Sequence, residues 1–536
     1  MNTTYHDESS ELDLHPWTKI ATILLITLFL PLLCIRIVLS TTRSKTRNPP
    51  GPRALPVIGH LHLLSARLPK SLEALSNIHG PIMRILMGPT PVYVISDAAT
   101  AQQILKAHDV DFSSKYPLGF GLSRFDIYDD SSFVNAPYGP YWRFMKKLCM
   151  TQLFAGPQLG RFVHIREQET SKLLESLEKK SRLGEPCDLG KELSGLANCI
   201  ICRMVMGKRC AESPELPSVI RGLVRKMMEK AAKLSFVEVF GPLKRFDVLG
   251  NGRRLVAATW EYDRVMEEIM RKYEVDGDVD SRRWEEEKEG GKDVMDILLE
   301  TYRDPDAELK LTRNHIKKLF LEIFFAGVDT TAATIQFAIA ELINNPKILN
   351  RLRQEIDTVV GSTRVLQEAD IPKLPYLQAI VKETFRRHPA GPLLRRQCNV
   401  ETKIKGYDIK PGDRIIINAY AIMRDTMTWK DPDEFVPERF LQPPAATDSG
   451  GSDTNIYQMD YKGQDCRFLP FGSGRRACPG TSHGLIVTHM AIGGLVQCFD
   501  WKVKDSDRID IKLVTGYSGA MALPLICYPI SRFDSI

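Results

Sequence analysis

The sequence predicts a mainly α-helical protein with small β-sheets. Three observations carry that reading. Apolar residues recur at helical spacing through most of the stretch from about 97 to 390. Extended runs are short and bounded by Gly, Pro or Asp. After the N-terminal 60 residues there is no internal repeat, long low-complexity tract or clear linker, so one large body is expected rather than a string of domains.

Residues 1–19 are polar and acidic, with Asp7, Glu8, Glu11 and Asp13. Residues 20–39 are apolar apart from two threonines, Pro31 and Arg36. About 20 apolar residues span a bilayer core. Proline is tolerated in such a helix, and an arginine near its end can snorkel to the interface. Arg43, Lys45, Arg47 and Arg53 follow the run. Positive charge on that side places residues 1–19 in a lumen and the remainder in the cytosol. A cleaved signal peptide would carry its basic residues before the apolar core, so a retained single-pass anchor is expected. Asn2-Thr3-Thr4 is a glycosylation sequon too near the start to be used. Residues 40–59 are basic and proline-rich (Pro49-Pro50-Gly51-Pro52, Pro56), which makes a stiff hinge before a body over 60–536.

In the body, Met83–Leu86 and Val92–Ile95 flank Gly88-Pro89 and read as a hairpin. Helices are expected over 97–108, 139–153, 159–179, 191–207, 216–233, 251–272, 293–303, 311–343, 346–360 and 375–387. Residues 275–292 are charged and read as an exposed loop. Residues 402–441 mix short strands with turns, 445–465 form a polar loop, 480–499 a helix, and strands close the chain.

Composition excludes several classes. With 43% hydrophobic and 26% charged residues the chain is neither disordered nor polytopic. A net charge of +6 on 536 residues does not call for nucleic acid. The 11 cysteines are scattered, and a chain this long needs no disulfide framework, so they read as mostly reduced thiols.

The sharpest feature is Phe471-Gly472-Ser473-Gly474-Arg475-Arg476-Ala477-Cys478-Pro479-Gly480. One cysteine sits in a glycine-bracketed loop just before a helix, where the helix dipole and free N–H groups favour a thiolate. A thiolate is a good axial ligand for heme iron and favours O–O cleavage. Gly474 and Gly480 would let the loop approach a flat macrocycle, and Arg476 would pair with a propionate. Zinc is disfavoured, because no second Cys or His sits at ligand spacing. Inside the expected helix 311–343, Asp329 and Thr330 of Ala326-Gly327-Val328-Asp329-Thr330-Thr331 place an acid and an alcohol where burial would penalise them. An acid–alcohol relay can deliver the protons that dioxygen heterolysis needs. Glu383 and Arg386 lie three apart on one helix face and can pair. Trp142 and Lys146 share a face of another.

The cysteine loop matches F-x-x-G-x-R-x-C-x-G, the heme-binding signature of cytochrome P450 monooxygenases, at every defined position. The other motifs resemble that family too. The resemblance implies Cys478 as iron ligand, with Phe471 and Gly480 framing it. It implies Thr330 steadying oxygen and Asp329 linking to water. Glu383, Arg386 and Arg439 (in Pro437-Glu438-Arg439-Phe440) would form a buried structural network. Trp142, Lys146, Arg396 and Arg476 would meet the propionates of heme b. Lys146 stands where arginine is commoner, which loses the bidentate fork. The chain holds no G-x-G-x-x-G, so NADPH electrons would arrive through a membrane-bound cytochrome reductase. Of Arg143, Lys146, Lys147, Arg475 and Arg476, some would face heme and others would form a positive patch for an acidic partner.

Anchor, hinge and motif order resemble plant microsomal, A-type members. Tyr138–Arg143, Arg166–Glu169 and Val496–Trp501 look similar to flavonoid- and triterpenoid-oxidising enzymes. The resemblance places substrate contacts at Phe120, Phe320, Phe324, Ala326, Gly391 and Tyr517. Small residues Ala326, Gly391, Gly519 and Ala520 would leave room for a large ring system. The expectation is therefore oxidation of a bulky hydrophobic metabolite, a pentacyclic triterpenoid ahead of a flavonoid, in one or several steps. An oxygen-independent heme-thiolate isomerase or dehydratase and a non-catalytic heme carrier are the rivals; the Asp329-Thr330 pair argues against both.

Overall fold

The computed structural model describes residues 47–56, 58–116, 125–128, 131–213, 215–237, 250–279, 293–441, 456–503, 508–511, 521 and 523–533, with 18, 20–25 and 27–30 of the N-terminal segment. It divides into Met1–Asn48 and Pro49–Ile536. In the first unit, the described part of the expected anchor is helical (Ile20–Leu30); residues 31–39 lie outside the described residues.

The second unit is built from helices α1 (Leu68–His79), α2 (Ala98–Gln102), α3 (Pro140–Cys149), α4 (Val163–Leu183), α5 (Leu189–Glu212), α6 (Leu216–Val237), α7 (Asn251–Val279), α8 (Val294–Arg303), α9 (Arg313–Asn344), α10 (Pro346–Val359), α11 (Pro375–Arg387) and α12 (Thr481–Cys498), with some shorter turns. Strands β1 (Ile82–Met87), β2 (Thr90–Ile95), β3 (Cys187–Asp188), β4 (Leu393–Gln397), β5 (Thr402–Ile404), β6 (Tyr407–Ile409), β7 (Arg414–Asn418), β8 (Phe499–Val503) and β9 (Ile526–Ser531) make three small sheets. The largest has the order β1-β2-β7-β4. Its β2–β7 pair is parallel and sets Val94 against Ile416, both fully buried.

The expected helices form close to their expected bounds. Residues 275–279 differ: α7 continues through Val279, so the charged stretch begins as helix, not loop. Helix α1 was not expected, although Leu68, Leu72 and Leu75 are its buried stripe and Pro69 starts it. Helix α4 stops at Gly184, whose left-handed φ of 66° closes its last turn. Among the described cysteines none is in a disulfide. Cys187 and Cys527 face each other across β3–β9 with sulfurs 3.8 Å apart.

Helix α9 organises the interior. Thr312 caps it, its hydroxyl accepting the His315 N–H. Its length and hydropathy would suit a membrane span, but 67% of its apolar 18-residue stretch is buried within the protein, and it serves as a core helix. Residues Ile316–Val328 pack into one apolar cluster with α5 to α8. Residues Ala332–Leu342 pack into a second, with α4, α11 and α12. Between the two lies a short stretch of α9 where Phe325, Ala326, Asp329 and Thr330 are exposed.

Candidate functional site

The cysteine loop is held from behind. The Cys478 N–H donates to the Phe471 carbonyl at 3.0 Å and the Ala477 N–H to the Gly474 carbonyl. Phe471 packs on Phe385 with ring centres 4.9 Å apart. Gly474 has φ +72°, and a Cβ there would lie 2.5 Å from the Asp109 Oδ1 and 2.6 Å from the Leu105 carbonyl. Glycine is therefore required here by backbone conformation and by contact with the segment after α2. A Cβ on Gly480 would meet only ordinary contacts, 3.9 Å from Cys478 Sγ and from Phe154.

Cys478 is exposed, yet burial pushes its thiol up. Both hold if the sulfur faces a hollow enclosed by protein. The Gly480 N–H, Lys146, Lys115 and Thr481 pull the thiol the other way without prevailing. A metal cation in front of a thiol deprotonates it outright, so this sulfur is suited to a metal.

Beside the loop lies a cluster of cations. Arg396 is buried and donates to the Ser473 and Arg395 carbonyls. Arg476 is buried, donates to the Ser113 and Ala136 carbonyls, and leaves Nη1 without a partner. Its guanidinium lies over the Trp142 ring at 4.4 Å. Lys146 donates to the Ala477 carbonyl at 3.1 Å, which sets it against the cysteine loop itself. Burial, reinforced by neighbouring cations, pushes Arg396 and Arg476 down to about 10. The same causes push Lys115 down to about 7. Asp109, the acid that acts on Arg396, is already engaged by the Arg475 N–H and side chain. Buried cations without a matching acid suit an anionic ligand. The orphaned Arg476 Nη1, the lowered Arg396, Arg476, Lys115 and Lys146, and the accessible sulfur together fit a flat, metal-bearing group with carboxylates at one edge.

Lys115 was not among the residues expected from sequence. A lone lysine in Ser113-Ser114-Lys115-Tyr116 carries no local signal; the arginines around it come from β4 and from the cysteine loop.

On α9, Thr330 Oγ1 donates to the Ala326 carbonyl at 2.6 Å. Burial raises the Asp329 carboxyl, while Arg225 and Arg221 pull it down. Phe320 and Phe324 are fully buried inside the α5–α8 cluster, their rings tilted with centres 6.4 Å apart. They do not line the opening, contrary to expectation. Phe325, 43% exposed, occupies it with Ala326. Gly391 is exposed, with nothing within 4 Å of where a Cβ would stand. Phe120 and Tyr517 lie outside the described residues.

Glu383 and Arg386 are fully buried. The carboxylate accepts two N–H groups of Arg386 at 2.7 and 2.8 Å, Arg439 Nε at 3.2 Å and the Val436 N–H at 2.9 Å. Two of the runs read as subgroup marks are structural ties. Arg166 holds Glu368 at 2.6 Å, and Gln497 clamps Leu366, Gly361 and Arg364.

The family model described as Cytochrome P450 matches residues 49–523. The chain belongs to the cytochrome P450 family. Relatives include "3,9-dihydroxypterocarpan 6A-monooxygenase" of Glycine max, 39% identical over 500 residues, covering 92% of this chain and 94% of that protein. "Cytochrome P450 93A3" of Glycine max is 41% identical over 497 residues, covering 92% and 94%. "Cytochrome P450 705A20" of Arabidopsis thaliana is 40% identical over 486 residues, covering 90% and 89%. The chain is thus a P450 monooxygenase of plant specialised metabolism. The family's cofactor is heme-thiolate iron, its electrons come from NADPH through a reductase, and its substrates are hydrophobic. The preference for a triterpenoid finds no support among these relatives; the flavonoid alternative fits them better.

Proposed function

We propose that this P450 inserts oxygen into a phenolic ring system of the flavonoid kind, such as a pterocarpan or isoflavonoid. The observation that carries this is 39% identity, across nearly the whole of both chains, to a monooxygenase named for a dihydroxypterocarpan. The opening on α9 is compatible: the exposed Phe325 ring offers a face for an aromatic ligand, with Asp329 and Thr330 one turn on.

In this reading Cys478 holds the heme iron, framed by Phe471 and Gly480. Lys115, Arg396 and Arg476 hold the propionates, Trp142 supports Arg476, and Lys146 steadies the loop. Heme iron, when bound, supplies O–O cleavage and oxidation of the substrate C–H bond. The Thr330 hydroxyl, rotating from the Ala326 carbonyl, presents a proton at its Oγ1. Asp329, its carboxyl raised above the usual range, links that proton to water. Arg143 and Lys147, both exposed on α3, and Arg475 present positive charge to the reductase. The apolar helix over Ile20–Leu30, with Leu25 72% and Leu28 73% exposed, begins a membrane anchor over 20–39. Residues 1–19 face the lumen of the endoplasmic reticulum. The hinge at 40–59 joins the anchor to a cytosolic body over 60–536.

The test is mass spectrometry of products from microsomes carrying the chain and a plant reductase, offered pterocarpans, isoflavones, flavanones and pentacyclic triterpenes, with and without NADPH. An NADPH-dependent gain of oxygen on the phenolics is expected. Oxidation of triterpenes alone would overturn the substrate assignment, and turnover without NADPH would overturn the electron source.

A further inference from the structure

One carboxylate joins α9 to the chain ahead of α3. Glu322 Oε1 accepts the Ser132 hydroxyl at 2.5 Å. Its Oε2 accepts the Phe133 N–H at 3.0 Å and the Val134 N–H at 3.1 Å. Ser132 Oγ in turn accepts the Asn135 N–H at 3.1 Å. Three consecutive residues thus close on a single side chain from a distant part of the sequence. The segment is further tied by the Tyr141 hydroxyl donating to the Ser131 carbonyl at 2.7 Å, and by Phe133 stacking on Trp142 at 6.3 Å.

The position of Glu322 on α9 gives the contact its meaning. Residues 322, 326 and 330 are four apart and share one face of the helix. Two of them, Ala326 and Thr330, lie at the exposed opening. Glu322 therefore fixes residues 132–134 along the face that carries the proposed proton relay, one turn from Ala326. Charge is not what the geometry uses. Lys318, the cation on the preceding turn, is paired with Asp126. The groups that touch the carboxylate are a hydroxyl and two backbone amides.

We infer that Glu322 is a positioning residue that sets which carbon of the substrate is oxidised, by holding residues 132–134 against α9 beside the opening. It acts through hydrogen-bond acceptance and not as an acid or base. The inference rests on the P450 assignment and on the site at Ala326 and Thr330, not on the substrate class.

Substitutions separate these roles. Glu322→Gln keeps an oxygen for the Phe133 and Val134 amides and turns its NH2 toward the Ser132 hydroxyl, which can accept as well as donate. Glu322→Ala removes every acceptor. The heme-loaded full chain would be read in two ways. Hydrogen exchange over 131–135 needs no substrate. The ratio of positional products is measured on whichever compound the unaltered chain oxidises. Glu322→Ala is expected to speed exchange at Phe133 and Val134 and to change the product ratio by about tenfold, since small displacements near reacting atoms have large effects. Glu322→Gln is expected to match the unaltered chain in both. If Glu322→Ala fails to load heme, Glu322→Asp, shorter by one methylene, is expected to shift both readouts in the same direction by less. Unchanged exchange and product ratio in the Ala or Asp variant would overturn the inference. A Gln variant that behaves like Ala would also overturn it, because charge would then be the operative property. A failed substrate assignment would leave the exchange result intact, so the two failures are distinguishable.

Discussion

Replacing Glu383 should destabilise the protein more than any surface change. Its carboxylate and the Arg386 guanidinium are both fully buried. Glu383 accepts four donors, two from Arg386, one from Arg439 and one from the Val436 backbone. The remaining Arg386 donors reach only carbonyls, those of Met423, Pro432 and Glu434. Neutralising Glu383 thus leaves a fully buried arginine with no counter-charge. Breaking one partner of such a pair costs about 3–5 kcal/mol. Glu383→Gln keeps an acceptor and should fall near about 3 kcal/mol, Glu383→Ala near about 5 kcal/mol. Either is a large part of a typical stability of about 5–15 kcal/mol. Arg386→Met should cost less, because the carboxylate keeps the Arg439 guanidinium and the Val436 N–H. The double variant should cost clearly less than the sum, with a coupling of about 2–3 kcal/mol, because no unpaired charge remains between the two. Urea unfolding of the heme-loaded chain, followed by far-ultraviolet circular dichroism, measures all four corners of the cycle. A Glu383→Gln cost under about 1 kcal/mol, or strict additivity, would refute the argument that charge pairing holds this core.

Three further outcomes are expected. Thr330→Ala should lower product formed per NADPH consumed by about 100-fold while heme absorbance is unchanged, since the group lost is a proton donor rather than a ligand; unchanged coupling would remove Thr330 from the relay. Lys115→Met should speed heme loss by about tenfold in a heme-transfer assay, because one charged contact to a carboxylate is lost, and should leave the fold by circular dichroism intact; undiminished retention would separate Lys115 from the propionates. Acid should weaken the protein through its buried histidines. Burial pushes His388, His483 and His489 down to about 4 in the fold against an ordinary 6.5. Each is neutral in the fold while the unfolded chain takes up a proton, so their contribution is complete above pH 6.5 and is lost as pH falls through 4, by about 3 kcal/mol per group. His388→Gln should flatten the fall in urea midpoint between pH 7 and 4.5, and an unaltered slope would exclude His388 as a contributor.

Much of the fold was legible because its helices obey local rules. Pro375 begins α11, Thr312 caps α9, Gly184 ends α4, and apolar spacing marks the faces between. The cysteine loop was legible for a similar reason: its chemistry is contiguous in sequence. The network at Glu383 was half legible. The spacing to Arg386 shows that the two can pair, while the other two donors, the Val436 N–H and Arg439 Nε, come from a chain segment 53 and 56 residues on.

The errors share one physical origin. Periodicity separates residues that meet protein from residues that meet solvent, and assumes that the interior is filled. In α9 the apolar side chains divide between two clusters, and Phe325, Ala326, Asp329 and Thr330 stay exposed where one gives way to the other. On the first turns of that helix the apolar residues Phe320 and Phe324 are spent on packing against α5 to α8, while Phe325 stays exposed. From sequence alone, adjacent phenylalanines at 324 and 325 are interchangeable, and the one more deeply buried was assigned to the opening. Lys115 and Glu322 were missed for the complementary reason. Each is an ordinary charged residue locally, and each gains its role from partners supplied by distant elements: arginines of β4 and the cysteine loop for one, the amides of 133 and 134 for the other. Such a site is therefore read from sequence where its chemistry is contiguous, as at Cys478. It is misread where its walls are set by which of two neighbouring side chains the core has already claimed.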